Sequence, residues 1–165
     1  MKTLYLMRHA KSSWSFDELR DNERPLNDRG REDAPRMGQA LVKRQIQPDL
    51  LVSSPAVRAQ STAVLVAREL GYDRERIQIE PAIYQADLDT LLEVIRNLPD
   101  EKNSVLLTGH NPTISDVANY LSPSPLTDEM PTAAIVCLRF ATDTWAEVKR
   151  ANAEFYFYDY PRNVA

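Results

Sequence analysis

The chain has only two histidines, His9 and His110, and each comes just after a short apolar run that predicts a β-strand. A third such run, Leu50–Ser53, leads into a helical segment whose first turn carries Arg58. In parallel α/β sheets, ligands bind outside the carboxyl ends of the strands. We therefore expect His9, His110 and Arg58 to meet at one edge of a sheet.

The neighbours of these residues favour binding of an anion. Arg8 adjoins His9, and a helix starting at Asn111-Pro112 would direct free N–H groups toward the same edge. A neutral imidazole is nucleophilic at about pH 7, and arginines stabilise negative charge on a transferred group. The sequence therefore predicts phosphoryl transfer, with a histidine as the covalent phosphate acceptor.

Two other chemistries fit these residues less well. The surrounding cations would repel a divalent metal ion, and no cysteine or carboxylate cluster has the spacing of metal ligands, so we expect no metal. No serine occupies a nucleophile-elbow pattern, which argues against a serine hydrolase. The four glycines are scattered, so arginines and histidines must bind the phosphate in place of a glycine-rich loop.

Several motifs, matching in order and spacing over nearly the whole chain, resemble the histidine phosphatase superfamily. They are Arg8-His9-Ala10 after a strand, the run Ser53–Thr62, and Gly109-His110-Asn111-Pro112. The short length and two further runs resemble its SixA-like phosphohistidine phosphatase branch. Those runs are Lys11–Trp14 and Arg24–Gly30. The resemblance implies a three-layer α/β sandwich with a mostly parallel central sheet, the phosphoglycerate mutase-like fold.

The resemblance also implies a role for each residue at the sheet edge. His9 would be phosphorylated, Arg8 and Arg58 would bind the phosphate, and His110 would stabilise the transferring group. The implied reaction is independent of metal and cofactor. His9 attacks, a phosphohistidine forms, and water hydrolyses it.

Other residues near these motifs are weaker candidates for substrate binding. Arg24, in the Arg-Pro-Leu match, is a further candidate phosphate contact, and Lys11 is a second; both also suit a solvated loop. Asn111 suits a helix cap as well as a ligand contact. Trp14 and Phe16 either line a substrate mouth or pack their loop onto the domain.

One departure from the superfamily bears on the substrate. Many members carry a glutamate or aspartate proton donor shortly after the third strand, whereas the corresponding Ile83-Tyr84-Gln85 has no acid. An alkoxide leaving group needs that proton more than an imidazole does, because the conjugate acid of imidazole has a pKa of roughly 6.5. The missing acid favours a phosphoramidate such as phosphohistidine and argues against a phosphoglycerate mutase. Glu80 and Asp87 lie nearby as alternative donors.

Composition predicts one domain over residues 1–165. The net charge of −4 argues against a nucleic-acid partner, and no run approaches the ~18 apolar residues of a membrane span. The apolar N-terminal stretch is shorter than a signal peptide, and the single Cys137 allows no internal disulfide, so we expect a cytoplasmic location. The expected partner is a phosphohistidine-bearing protein or a small phosphorylated molecule.

Short apolar runs alternate with helical patterns, which predicts an α/β fold with a largely parallel sheet and late antiparallel edge strands. The predicted strands are Thr3–Met7, Asp49–Ser53, Ile77–Ile79, Val105–Thr108, Ala133–Phe140, Thr144–Lys149 and Glu154–Tyr158. The longest predicted loops are Lys11–Asn27 and Ser122–Thr132.

Two helices have a proline in their start signal. Ser54-Pro55 predicts an N-cap followed by proline at the first helical position, and Leu70-Gly71 predicts the stop. Asn111-Pro112 predicts the same start for a helix that reaches about Leu121.

Two more helices are indicated by caps and apolar spacing. Asp87 is a cap for a helix with a leucine- and isoleucine-rich stripe. An earlier helix ends near Arg44. It begins either at Asn27, with Pro35 inside it, or near Asp33, with Pro35 in its first turn.

Three functions are compatible with these residues. The first is a phosphatase for phosphohistidine or another phosphoramidate. The second is a general small-molecule phosphomonoesterase of the same fold, with Glu80 or Asp87 as the acid. The third is a non-catalytic phosphate- or phosphopeptide-binding module, against which the presence of both histidines and the arginines argues.

Overall fold

The sheet of this protein is mixed and mostly parallel. The computed structural model describes residues 1–126 and 128–164. In that part of the chain the strands are β1 (Lys2–Arg8), β2 (Leu50–Ser53), β3 (Gln78–Ile79), β4 (Ser104–Gly109), β5 (Ile135–Phe140) and β6 (Ala153–Asp159). Their order is β3-β2-β4-β1-β5-β6, with β1 to β4 parallel and β5 antiparallel to both of its neighbours. The predicted α/β class and the late antiparallel strands are confirmed.

Helices cover both faces of the sheet. They are α1 (Asp28–Lys43), α2 (Val57–Leu70), α3 (Leu88–Arg96) and α4 (Thr113–Leu121). In β1, Leu4 and Leu6 face the core shared with α3 and α4, while Tyr5 and Met7 face the core shared with α1 and α2. This alternation of side chains builds the three-layer sandwich. No helix among the described residues has the length and apolar character needed to cross a membrane.

The cap residues confirm three of the predicted helix ends. The Asn27 side chain accepts a hydrogen bond from Gly30 N–H at 2.9 Å, so α1 begins there and contains Pro35. The Asp87 side chain accepts from Thr90 N–H at 2.8 Å at the start of α3. Gly71, with a φ of 69°, ends α2 in the left-handed conformation.

The two proline-containing helix starts are predicted one or two residues too early. The N-caps are Ala56 and Pro112, so the helices begin at Val57 and Thr113. Ser54 does not cap α2, because its hydroxyl accepts from Ala56 N–H at 3.2 Å and contacts a histidine ring. Asn111 does not cap α4, because its side chain is engaged elsewhere. Its amide donates to Glu129 and to the Met130 carbonyl, and its oxygen accepts from the Ser115 hydroxyl.

The predicted strand Thr144–Lys149 is wrong. This segment forms a turn of 3-10 helix at Trp145–Glu147. The buried residues are Trp145 and Val148, three positions apart, whereas a strand buries every second residue. The Trp145 backbone and indole N–H groups donate to Asp100 Oδ1 and to the Lys102 carbonyl, which anchors the turn.

Both of the long predicted loops contain residues that anchor them to the domain. The 11–27 loop contains a short antiparallel bridge between Ser12 and Leu26 and a 3-10 turn at Asp21–Glu23. Within the predicted loop Ser122–Thr132, Thr127 lies outside the described residues, and Met130 is fully buried.

We expect Gly30→Ala to destabilise the fold, because Gly30 lets α1 pack against the backbone that follows His9. A Cβ at Gly30 would overlap the Lys11 carbonyl oxygen, which also accepts from Asn27 N–H at 3.0 Å. The expected loss in the free energy of unfolding is about 1–3 kcal/mol, measured by urea denaturation. Glu32→Ala, at an exposed position of α1, is the control and should change little. Equal stability of the two variants would contradict this account of the packing.

Candidate active site

The carboxyl ends of three adjacent parallel strands bring both histidines together. His9 follows β1 and donates its backbone N–H to the Gly109 carbonyl at the end of β4, at 3.0 Å. The centroids of the His9 and His110 rings are 5.2 Å apart. Ser54, directly after β2, donates its backbone N–H to the Thr108 carbonyl at 3.1 Å. The predicted convergence at one sheet edge is thus present.

The tautomer of His9 is set by a hydrogen bond to the backbone. Its Nδ1 lies 2.7 Å from the Ala10 carbonyl oxygen. A carbonyl only accepts, so Nδ1 carries the proton and Nε2 keeps the lone pair of the neutral ring. The Ala10 N–H donates to Thr62 Oγ1, and that hydroxyl donates to the Arg58 carbonyl, which ties this turn to α2. These bonds leave the lone pair of the neutral ring on Nε2.

Both histidines are held in the neutral form. Burial, together with the proximity of His110, Arg58 and Arg8, lowers the pKa of His9 to about 3 against the opposing effect of the Ala10 bond. Burial, and then the charge of Arg58, lowers the pKa of His110 to about 4. An uncharged His9 at about pH 7 can attack phosphorus, whereas a protonated one cannot.

Because the chain has only two histidines, their titration is directly measurable by NMR. Both pKa values lie below the ordinary value, so protonation of the folded protein begins only well below about pH 6. We expect both imidazole C–H signals to stay constant from about pH 5.5 to 8. The urea-unfolded chain is the control, with midpoints near about 6.5. A folded-state midpoint near that value for either histidine would contradict the assignment.

Several buried nitrogen atoms around the histidines have no hydrogen-bond partner among the described residues. They are Arg8 Nε, Arg58 Nε and His110 Nδ1. Arg8 and Arg58 both act electrostatically on both histidines, so these groups lie close together. An unpaired buried polar group costs roughly 1–3 kcal/mol, which an oxyanion ligand would offset. The arrangement can therefore bind a tetrahedral oxyanion beside His9.

Arg24 is a buried residue of the 11–27 loop rather than a solvated one, with 8% of its surface exposed. It donates to Ser12 Oγ at 2.7 Å and to the Ser13 carbonyl at 3.0 Å. Its guanidinium carbon lies 3.5 Å from the ring centroid of Trp14, which is 76% exposed. Arg24 also acts electrostatically on His110, which places it at the rim of the same site.

The other two candidate substrate-binding residues have different surroundings. Lys11 is exposed and lines a separate cavity with Arg29 and Asp33. The Asn111 amide donates to the Met130 carbonyl at 2.9 Å, and Asn111 shares a cavity wall with His110. The structure brings Asn111, but not the Lys11 side chain, to the histidine pair.

Asp21 is a site residue that the sequence did not reveal. Its carboxylate accepts from Arg58 Nη2 at 3.0 Å, from the Tyr84 hydroxyl at 2.7 Å and from Arg24 Nε at 3.3 Å. The bond from Tyr84, followed by those from Arg58 and Arg24, lowers the pKa of Asp21 to about 2. An ionised carboxylate therefore lies among the arginines.

Two further side chains surround His110. The Ser54 hydroxyl lies 2.7 Å from His110 Nε2, and the Tyr84 ring packs edge-on at 5.7 Å between centroids. Neither contact has a local sequence signal, because each joins segments that are far apart in the chain. Ser54 fixes the orientation of the His110 ring.

The two alternative proton donors have different surroundings. The Glu80 side chain accepts from Ala82 N–H at 3.4 Å and lines a cavity that contains neither histidine. Asp87 caps α3 and lines the same cavity as His110, which has a volume of about 440 Å³. Of these two acids, only Asp87 shares a cavity with a catalytic candidate.

Comparison with known proteins places this chain in a family. The family model of the histidine phosphatase superfamily (branch 1) matches residues 4–91. The chain belongs to the histidine phosphatase superfamily. Its sequence relatives include an uncharacterised protein of Mycobacterium tuberculosis, 32% identical over 94% of this chain and 100% of that protein. An uncharacterised protein of Mycobacterium leprae is 30% identical over the same shares.

Solved structures of histidine phosphatases share the fold of this chain. The protein histidine phosphatase SixA complexed with tungstate superimposes with a TM-score of 0.82 at 21% identity, over 99% of each chain. The proposed phosphohistidine phosphatase SixA of Agrobacterium tumefaciens gives a TM-score of 0.80 at 27% identity, over 96% of this chain and 97% of that one. The phosphoglycerate mutase-like fold implied by the sequence motifs is therefore confirmed.

Proposed function

We propose that this histidine phosphatase removes phosphate through a covalent phosphohistidine on His9, and that its substrate is phosphohistidine or another phosphoramidate. The observation that carries the proposal is the buried, neutral His9, whose Nε2 keeps its lone pair beside arginine and histidine nitrogens that have no hydrogen-bond partner among the described residues. Family membership and the SixA-like fold support the phosphatase activity.

The reaction follows from the roles available to these groups. His9 Nε2 attacks phosphorus, a P–N bond forms, and the bond to the leaving nitrogen breaks with its electron pair moving to that nitrogen. A phosphohistidine substrate leaves as neutral imidazole because its other ring nitrogen carries a proton taken from solvent. Arg8 and Arg58 neutralise the phosphoryl oxygens, and His110 contacts the transferring group. Water then attacks phosphorus, releases phosphate and returns the electron pair to Nε2. We infer a metal-independent reaction because arginines provide the positive charge.

The inferred substrate class depends on proton supply to the leaving group. Tyr84 occupies the region where many superfamily members carry an acid, and its hydroxyl is engaged with Asp21. Asp21 is ionised and has no proton to give. An imidazole leaves readily without a protein acid, whereas an alkoxide does not. The site therefore suits phosphoramidates better than alkyl phosphates.

A substrate panel tests this assignment. The protein is incubated with a phosphohistidine peptide and, separately, with an aryl phosphate, and kcat/KM is measured for each. We expect the phosphohistidine peptide to be preferred by about a hundredfold or more, a difference of roughly 2.7 kcal/mol in transition-state binding. A preference for the aryl phosphate would reject the phosphoramidate assignment.

A second function is favoured by one observation, the position of Asp87 in the cavity that contains His110. A general phosphomonoesterase would use Asp87 as its acid. Asp87→Asn removes the acid but preserves helix capping, since asparagine caps helices about as well as aspartate. Loss of aryl-phosphate turnover in this variant would support the phosphomonoesterase. Unchanged turnover of both substrates is expected if phosphoramidates are the substrate class.

A further inference from the structure

Asp21 lies within reach of any anion that Arg58 binds. One terminal nitrogen of the Arg58 guanidinium donates to the Asp21 carboxylate at 3.0 Å and the other donates to its backbone carbonyl at 2.7 Å. The third nitrogen, Nε, is buried and bonded to no described group. A phosphoryl oxygen at Nε and the Asp21 carboxylate would share one planar guanidinium, so they would lie within about two hydrogen-bond lengths of each other.

Asp21 is held in place from several directions. The Tyr84 hydroxyl donates to its carboxylate at 2.7 Å, and Arg24 donates to it through Nε at 3.3 Å. The Arg24 backbone N–H donates to the Asp21 carbonyl at 3.3 Å. Bonds from two loop segments and from α2 therefore hold this charge beside Arg58.

The charges of the site then select among phosphorylated ligands. Arg8, Arg24 and Arg58 contribute positive charge, Asp21 contributes negative charge, and both histidines are neutral. Glu129 adds a further negative charge near Arg8. The positive charges still outnumber the negative ones, which suits a phosphoryl dianion. A ligand with an additional carboxylate would bring like charge close to Asp21, which weakens its binding.

We propose that Asp21 is a specificity-determining residue that disfavours phosphorylated ligands whose remaining part carries a negative charge. The inference rests on the proposed function, in which this site binds the phosphoryl group. It narrows the substrate class to phosphoramidates with a neutral or positively charged leaving group, such as the imidazole of a histidine that is not flanked by acidic residues.

The test uses two inert ligands of nearly the same shape, phosphonoacetate and phosphonoacetamide, which differ in one carboxylate charge. Their dissociation constants are measured by calorimetry in the same buffer. The wild-type protein should bind phosphonoacetamide more tightly. Asp21→Asn retains an oxygen acceptor for Arg58 and Tyr84 and should reduce this preference by about threefold to tenfold. Tyr84→Phe removes one hydrogen bond to the Asp21 carboxylate, and it should reduce the preference for phosphonoacetamide by a smaller factor.

Asp17→Asn is the matched control, because it removes the same charge from the same loop, at a residue that contacts none of these arginines. An equal preference in the wild type and Asp21→Asn, an equal shift in Asp17→Asn, or no binding of either phosphonate would overturn the proposal. The measurement needs no turnover. If Asp21→Asn changes the preference for phosphonoacetamide but the protein does not hydrolyse phosphohistidine, only the proposed reaction is rejected. If the protein hydrolyses phosphohistidine but Asp21→Asn leaves the preference unchanged, only this inference is rejected.

Discussion

Replacing His9 with alanine is expected to lower kcat for a phosphohistidine peptide by at least about a thousandfold, since the variant has no covalent phosphate acceptor. The arginines would still bind the ligand, so its dissociation constant should change far less than kcat. Single-turnover release of phosphate measures the first quantity, and calorimetry with phosphonoacetamide measures the second.

His9→Asn separates the loss of the nucleophile from the loss of structure. The asparagine amide can still donate to the Ala10 carbonyl, as His9 Nδ1 does at 2.7 Å, but it offers no atom in place of Nε2. We expect His9→Asn to unfold at the wild-type urea concentration and to be as inactive as His9→Ala. Substantial activity in either variant would mean that another residue accepts the phosphate.

Arg58→Ala is expected to lower kcat/KM by about a hundredfold to a thousandfold, the range observed when one group that stabilises transition-state charge is removed. Arg58 is 6% exposed, and its Nε faces no protein acceptor among the described residues. Arg58→Lys keeps the charge but not the planar fork, so it should recover only part of the activity. Steady-state kinetics with the phosphohistidine peptide measures both variants.

Arg68→Ala is the control for Arg58, because Arg68 is an exposed arginine in the last turn of the same helix. It should retain full activity. A loss in Arg58→Ala no larger than in Arg68→Ala would show that Arg58 does not contact the phosphoryl group.

The parts of the site that follow local patterns were predictable from sequence. His9 and His110 each follow an apolar run, and the parallel arrangement of such strands necessarily brings their carboxyl ends to one edge. The meeting of both histidines at one edge of the sheet followed from these short-range features. The missing acid at Tyr84 was inferred by resemblance to the superfamily rather than from a local pattern.

The remaining parts depend on contacts between distant segments. Asp21 joins Arg58 and Tyr84 across separations of 37 and 63 residues, and no pattern within the loop distinguishes it from Asp17. Ser54 matched a helix cap by residue type, but its hydroxyl contacts His110 instead. The 3-10 turn at Trp145–Glu147 is likewise set by hydrogen bonds to the segment before β4, which no local propensity specifies.

The most direct test of the account is to trap the phosphorylated protein during turnover. The protein is mixed with a phosphohistidine peptide, quenched rapidly under alkaline conditions and analysed by mass spectrometry, with His9→Asn as the control. We expect one phosphoryl group on His9, stable in base and lost in acid, and none on the control. Turnover without a phosphorylated protein, or a phosphoryl group on His110 or another residue, would contradict it.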